Sequence, residues 1–245
     1  MADHPDRPRH LHLIGLLTFA SGCVDAVTLT IIGGAFTSVI TGNLILIGRG
    51  LGTSTLEPAL HAIMAVAGYV LGVAIGSRLA QLAARLEGLP EEDGPGAAWP
   101  RRATVVLAVE CVALIAVNAA WIGYRTHPPA VATDVLLIVG GVCLGMQSVA
   151  ARAIAGNPST TYMTGALTGL VESLATGRPR TADPAAAVGL AALVAGAACG
   201  GVLIAHARPA ALLPALAAVL LVILIKGRHH RIELSAAEAP GPPPG

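Results

Sequence analysis

Gly33 to Gly52 reads GGAFTSVITGNLILIGRGLG, with Asp25 shortly before it. The stretch is too polar and too interrupted by glycine for a simple membrane span, yet it lies between two stretches apolar enough to be spans. Its spacing recurs. Gly22 precedes the Thr41-Gly42 pair by nineteen residues, and Gly145 precedes Thr164-Gly165 by the same nineteen. At that offset Phe36-Thr37-Ser38 falls on Ser159-Thr160-Thr161, Leu44 on Leu167, and Asp25 on Ser148. Gly72-xxx-Gly76 agrees with Gly196-xxx-Gly200 within one residue. A duplicated unit with an interrupted apolar segment in each copy points to a transporter or a channel.

Composition agrees with a bilayer environment. The chain is 54% hydrophobic and 12% charged, with a mean hydropathy of +0.72. Uncharged runs such as 185–205 are satisfied as helices in lipid or as the core of something much larger. A net charge of +1 offers no basic stripe for phosphates, which argues against nucleic acid as a partner. Cys23, Cys111, Cys143 and Cys199 all fall in apolar runs without a CxxC pair, so unpaired buried thiols are expected rather than a disulfide or metal framework. Arg7 and Arg9 before an apolar run resemble a signal peptide, but the same segment is echoed at Gly145, so residues 11–32 read as a first helix.

Six long apolar segments follow, at about 11–32, 58–84, 102–124, 131–154, 185–206 and 209–227. Each supplies the roughly 20 residues a bilayer requires. Two shorter segments, about 37–51 and 160–175, reach only part-way as helix. If only the long segments cross and the N-terminus is cytoplasmic, Arg78, Arg85, Arg101, Arg102, Arg152, Arg178 and Arg180 lie inside, and only Arg49, Arg125 and Arg208 outside. The positive-inside rule therefore favours six crossings with both termini cytoplasmic. Three crossings per copy make the copies inverted. The first short segment then enters from outside and the second from inside, and together they frame a site near the midplane.

The expected organisation is all-α: six transmembrane helices as two inverted three-helix repeats, each with a short discontinuous or re-entrant segment. Residues 1–10 form a cytoplasmic N-terminus, 11–227 a single transmembrane domain (repeat 1 about 11–124, repeat 2 about 131–227), and 228–245 a disordered cytoplasmic tail. Small residues at Gly68, Gly72 and Gly76, and at Gly196 and Gly200, prepare close helix packing.

Candidate site residues follow from polarity inside this apolar frame. Asp25, two-thirds along the first span, is costly there and reads as a proton-titrating or cation-binding group; capping the broken segment is its plainer role. Thr37 or Ser38 is placed to cap the first short helix, and Asn157-Pro158-Ser159-Thr160 the second. A helix N-terminus inside the membrane suits an anion or a carbonyl-bearing solute. Thr41, Gly42, Asn43, Thr164, Gly165 and Thr168 would line the same region. Gln147 and Ser148 on the fourth span complete the set, with Arg152 one turn beyond. Glu110, Asn118 and Glu172 are further polar groups in apolar surroundings, and His61 and His206 read as interfacial. No metal, hydrolase or phosphate-loop motif is present.

The run Gly22-Cys-Val-Asp25-Ala26, then Gly34-Ala-Phe36-Thr-Ser38, Thr41-Gly42-Asn43 and Leu46-Ile-Gly48, resembles the first signature of the YoaK-like family. Gly145-Met146-Gln147, Ala150-Ala151-Arg152, Thr164-Gly165 and Thr168-Gly169 resemble the second. The resemblance covers about residues 11–227. One departure is Ser148, where the family pattern has Asn. The family, known as a domain of unknown function, implies a multi-pass protein of the bacterial inner membrane and no established substrate.

The expected function is secondary transport of a small polar or anionic solute, with Asp25 in coupling, without an enzymatic role, cofactor or metal. Membrane lipid and the solute are the expected partners, with homo-oligomerisation left open. A passive channel with two opposed half-helices is the first alternative, and a membrane scaffold or intramembrane enzyme the second.

Overall fold

A computed structural model describes residues 7–86, 101–155, 163–178, 180 and 183–237. Among these residues the chain is all-helical: α1 (Arg7–Val27), a π-turn (Thr28–Ile32), α2 (Ile40–Thr53), α3 (Leu56–Leu86), α4 (Arg101–Gly123), α5 (Ala130–Ala155), α6 (Met163–Thr176), α7 (Asp183–His206), a 3-10 turn (Arg208–Ala210) and α8 (Leu213–Ala237). Six helical stretches among the described residues are long and apolar enough to cross a membrane: Leu11–Ile32, Leu56–Leu86, Arg102–Gly123, Ala130–Ile154, Pro184–His206 and Arg208–Lys226. The two short helices have 14 residues each, about 21 Å of rise and less than a ~30 Å hydrocarbon core. α8 runs on as helix to Ala237, into the segment expected to be disordered. Most residues of this extension are ordinary helix formers, and its two glycine-free turns contain no proline.

Helices in lipid gain little from apolar burial against one another, so close backbone approach and van der Waals contact must hold them. Two seams supply it. Along α3, Gly68 lies against Ile138, Gly72 against Val142, and Gly76 against Met146 and Val149 of α5; Gly141 and Gly145 of α5 return the contact onto α3. Along α1, Gly22 meets Leu193 and Ala197 of α7, while Gly196 meets Phe19 and Gly200 meets Cys23. Residue numbers rise together along both seams, so each pair is parallel. A Cβ at Gly68, Gly72 or Gly196 would collide with a facing carbonyl, which is why glycine stands there.

α1 and α5 occupy the middle and are the most enclosed of the six spans. α4 packs on α5, α3 and α8, and α8 also on α1. Trp121, fully buried, donates its indole N–H to the Arg208 carbonyl (3.0 Å), tying the end of α4 to the α7–α8 turn. All four cysteines are free, as expected; Cys23, Cys111 and Cys143 are buried, and the Cys23 thiol donates to the Ala211 carbonyl.

Candidate functional site

The site is built where α1 ends. Thr28–Ile32 form a π-turn, a motif frequent where a helix is reshaped for a purpose. Gly33 N–H and Gly34 N–H both reach the Thr28 carbonyl, at 3.0 and 3.2 Å. Gly34 takes φ +67°, the left-handed region open to glycine. Gly33 lies close under α5 and α3: a Cβ there would stand 2.6 Å from Leu137 Cδ1, which would have to turn aside, and 3.2 Å from His61 Nδ1. The chain then folds back along α1 for about two turns before α2 begins.

This return brings Thr37 and Ser38 onto Asp25. Asp25 Oδ1 accepts the Thr37 N–H (2.7 Å), the Thr37 hydroxyl (2.9 Å) and the Ser38 N–H (2.9 Å), and Oδ2 accepts the Ser38 hydroxyl. Asp25 is 5% exposed and both partners are buried. Placing a carboxylate at bilayer depth costs about 2.5–3.5 kcal/mol on insertion scales. Hydrogen bonds to a charged group contribute about 1.5–3 kcal/mol each, so four of them outweigh that cost. The expected capping is therefore redirected: Val39 is the N-cap of α2 and makes no side-chain cap bond, because Thr37 and Ser38 serve the carboxylate instead.

The other first-copy residues divide. Asn43, fully buried, holds both sides of Phe36: its Oδ1 accepts the Phe36 N–H (3.0 Å) and its Nδ2 donates to the Phe36 carbonyl (2.5 Å). Gly42 lies flat under the Phe36 ring, where a Cβ would be 3.1 Å from two ring carbons. Thr41 is exposed on the opposite face of α2. On α5, Gln147 Nε2 donates to the Leu17 carbonyl (2.6 Å) and the Ser21 hydroxyl (3.0 Å), joining α5 to α1, and Ser148 donates its hydroxyl to Gly145 of its own helix. Ser148 stands at the position offset from Asp25, and Thr160 and Thr161, offset from Thr37 and Ser38, lie outside the described residues.

In the second copy, Thr164 and Gly165 line an open pocket of about 410 Å³ along α6, with Thr168, Gly169, Glu172 and Arg180. Arg180 and Glu172 form an ion pair at 2.9 Å, both half exposed. Thr160 and the Asn157-to-Thr160 cap lie outside the described residues.

Sequence reasoning took His61 for an interfacial residue and passed over Asp134. The structure puts His61 Nδ1 2.8 Å from the Gly33 carbonyl and Nε2 3.5 Å from Asp134 Oδ1. Since a carbonyl only accepts, Nδ1 carries a proton. His61 on α3 thereby closes the turn at the end of α1. No sequence spacing marks this contact; it arises from α3 passing beside Gly33.

The model of the family described as "Protein of unknown function (DUF1275)" matches residues 13–225. The chain is 30% identical over 164 residues to the UPF0700 transmembrane protein YoaK of Bacillus subtilis (strain 168), a match covering 66% of each chain. No solved structure matches. The protein belongs to the DUF1275, YoaK-like family of multi-pass membrane proteins.

Proposed function

We propose that this DUF1275 protein is a secondary transporter of a small polar or anionic solute, made of two three-helix repeats inserted in opposite senses. The observation that carries the reading is the pair of short helices lying against longer ones. α2 starts beside Asp25, well inside the bundle, and packs on α3 (a Cβ at Gly50 would strike Ala59); α6 has Met163 Cε 3.6 Å from a Cβ at Gly189 and packs on α7. A short helix that begins within the membrane favours negative charge at its N-terminus; before α2 that charge is Asp25's own, which leaves α6 to face the solute.

The seams support the repeat. An offset of 123 carries Gly22 to Gly145, so α1 corresponds to α5 and α3 to α7. Exchanging the copies then turns the α1–α7 seam into the α5–α3 seam, and both are parallel and glycine-lined. With the Arg102 end cytoplasmic, as the distribution of arginines favours, both termini are cytoplasmic and the protein resides in the inner membrane. Asp25 holds the first half-helix in place, and the α6 pocket, with its threonines and Arg180, is where the solute meets the second.

The test is counterflow in liposomes carrying the full chain, with a panel of small carboxylates, inorganic anions and neutral polar solutes. At least one solute is expected to be taken up faster when the same solute is loaded inside, and Arg180→Gln to weaken that uptake. Uptake or conductance without counterflow would make the protein a channel. Neither, across the panel, would remove transport altogether.

A further inference from the structure

Glu110 stands near the middle of α4's span and is wholly buried. Neither of its carboxyl oxygens has a hydrogen-bond partner. The contrast with Asp25 is complete: one buried carboxyl has four donors, the other none. Two further buried atoms lack partners, Asn118 Oδ1 on the same face of α4 and Gln147 Oε1 on α5, and both are acceptors. Among the described residues, neither Glu110 oxygen receives a hydrogen bond.

At the depth of Glu110 the described residues packed against α4 supply no counter-charge either; Arg78 of α3, Arg152 of α5 and Lys226 of α8 lie toward the span ends. The titratable groups that face Glu110 are thiols, Cys111 beside it and Cys143 on α5. α3 carries Tyr69 at mid-span, and α8 has no ionisable side chain between Leu213 and Ile225. A carboxylate isolated in this way costs several kcal/mol, so breaking the O–H bond requires water or a partner to arrive. An acid kept for packing alone would be better replaced by an apolar side chain of similar volume.

Water has a place to collect toward one end of α4. A cleft of about 290 Å³ opens among α3, α4 and α5, lined by Ser77, Gln81, Arg102, Val149 and Ala153. Arg102 is eight residues from Glu110 on the same helix, about 12 Å of rise.

We propose that Glu110 is a reversible proton-binding site in the middle of the bundle, loaded and emptied through the cleft at the Arg102 end. A hydronium ion that advances from the cleft along α4 gives its proton to a Glu110 oxygen; the reverse step returns the proton to water and leaves a carboxylate. The ligand is the proton itself, and Asp25, saturated by Thr37 and Ser38, takes no part.

A hydrophobic carbodiimide, which reacts with protonated carboxyls in apolar surroundings, tests this on the full chain in liposomes, with adducts located by peptide mass mapping. The expected result is an adduct at Glu110 and none at Asp25. Relative to a lipid-soluble carboxylic acid of known titration in the same vesicles, the Glu110 adduct should fall about tenfold per pH unit above its own midpoint. Glu110→Gln should lose both the adduct and a titrating carboxylic-acid carbonyl band in the infrared. Absence of the adduct at every pH, or a yield that does not change with pH, overturns the proposal. Protection by sodium but not by choline at fixed pH overturns it in favour of a metal-cation site. Mapping on the unsubstituted protein decides the matter even if Glu110→Gln fails to fold. The readout needs no solute, so the transport reading can fail while this one stands.

Discussion

Thr37, twelve residues along the chain from Asp25, gives that carboxylate both its backbone N–H and its hydroxyl, at 2.7 and 2.9 Å on one oxygen. A single residue thus supplies half of the donors that let an acid sit inside the bundle. Asp25→Ala leaves two N–H groups and two hydroxyls without an acceptor. We expect a loss of at least about 1–3 kcal/mol, the cost of leaving a buried polar group unsatisfied, read as a lower unfolding midpoint in detergent. Asp25→Asn keeps one acceptor oxygen and should lose less. A variant with unchanged midpoint would mean that the loop is held by its apolar contacts.

Asn43→Asp keeps the acceptor for Phe36 N–H and removes the donor to the Phe36 carbonyl. Stability should fall by about 1–3 kcal/mol, the cost of an unsatisfied buried group. Exchange of the Phe36 amide should quicken in Asn43→Ala, which lets go of both sides.

The seams can be read one glycine at a time. Gly72→Val and Gly196→Val press a side chain onto facing backbone and should each destabilise by at least about 1–3 kcal/mol, with loss of the monodisperse species in detergent. Gly201→Ala meets nothing within 4 Å and should be neutral or slightly stabilising, since alanine favours helix. Equal behaviour of Gly196 and Gly201 variants would discredit the α1–α7 seam.

Cysteine scanning in a background without the native thiols should leave positions 37, 38 and 43 unlabelled by a polar maleimide, while 34 and 51 react. Those positions are buried and exposed respectively. Labelling at 37 or 38 comparable to that at 34 would show a loop that does not fold back on α1.

Trp121→Phe keeps the aromatic volume and loses one hydrogen bond to Arg208. The expected change is about 1 kcal/mol, accompanied by loss of the buried component of the tryptophan emission.

The spans were legible because each is a continuous apolar run; the end of α4 is read as 124 from sequence and found at Gly123. The glycine repeats were legible as packing faces, but sequence alone did not name which helix meets which. Asp25, Thr37 and Ser38 were picked out singly by their cost or their capping chemistry. That Asp25 ties to the broken segment was its plainer reading; which donors it meets was hidden, because that depends on a π-turn and a return that place residues twelve and thirteen positions apart side by side. Glu110 shows the same limit from the other side. Its polarity was evident, but its isolation depends on which faces α5 and α8 turn toward it.

The α1–α7 seam also sets a timetable. Phe19 and its partner Gly196 are separated by 177 residues of chain, so at roughly 5–20 residues per second α1 precedes its main neighbour by about 9–35 s of synthesis. Throughout that interval the nascent first helix carries an acid with no seam to shelter it. Its donors are nevertheless among the next residues to leave the ribosome. The brace at Asp25 draws only on residues 25–38 and needs no partner made later, whereas the α1–α7 seam does.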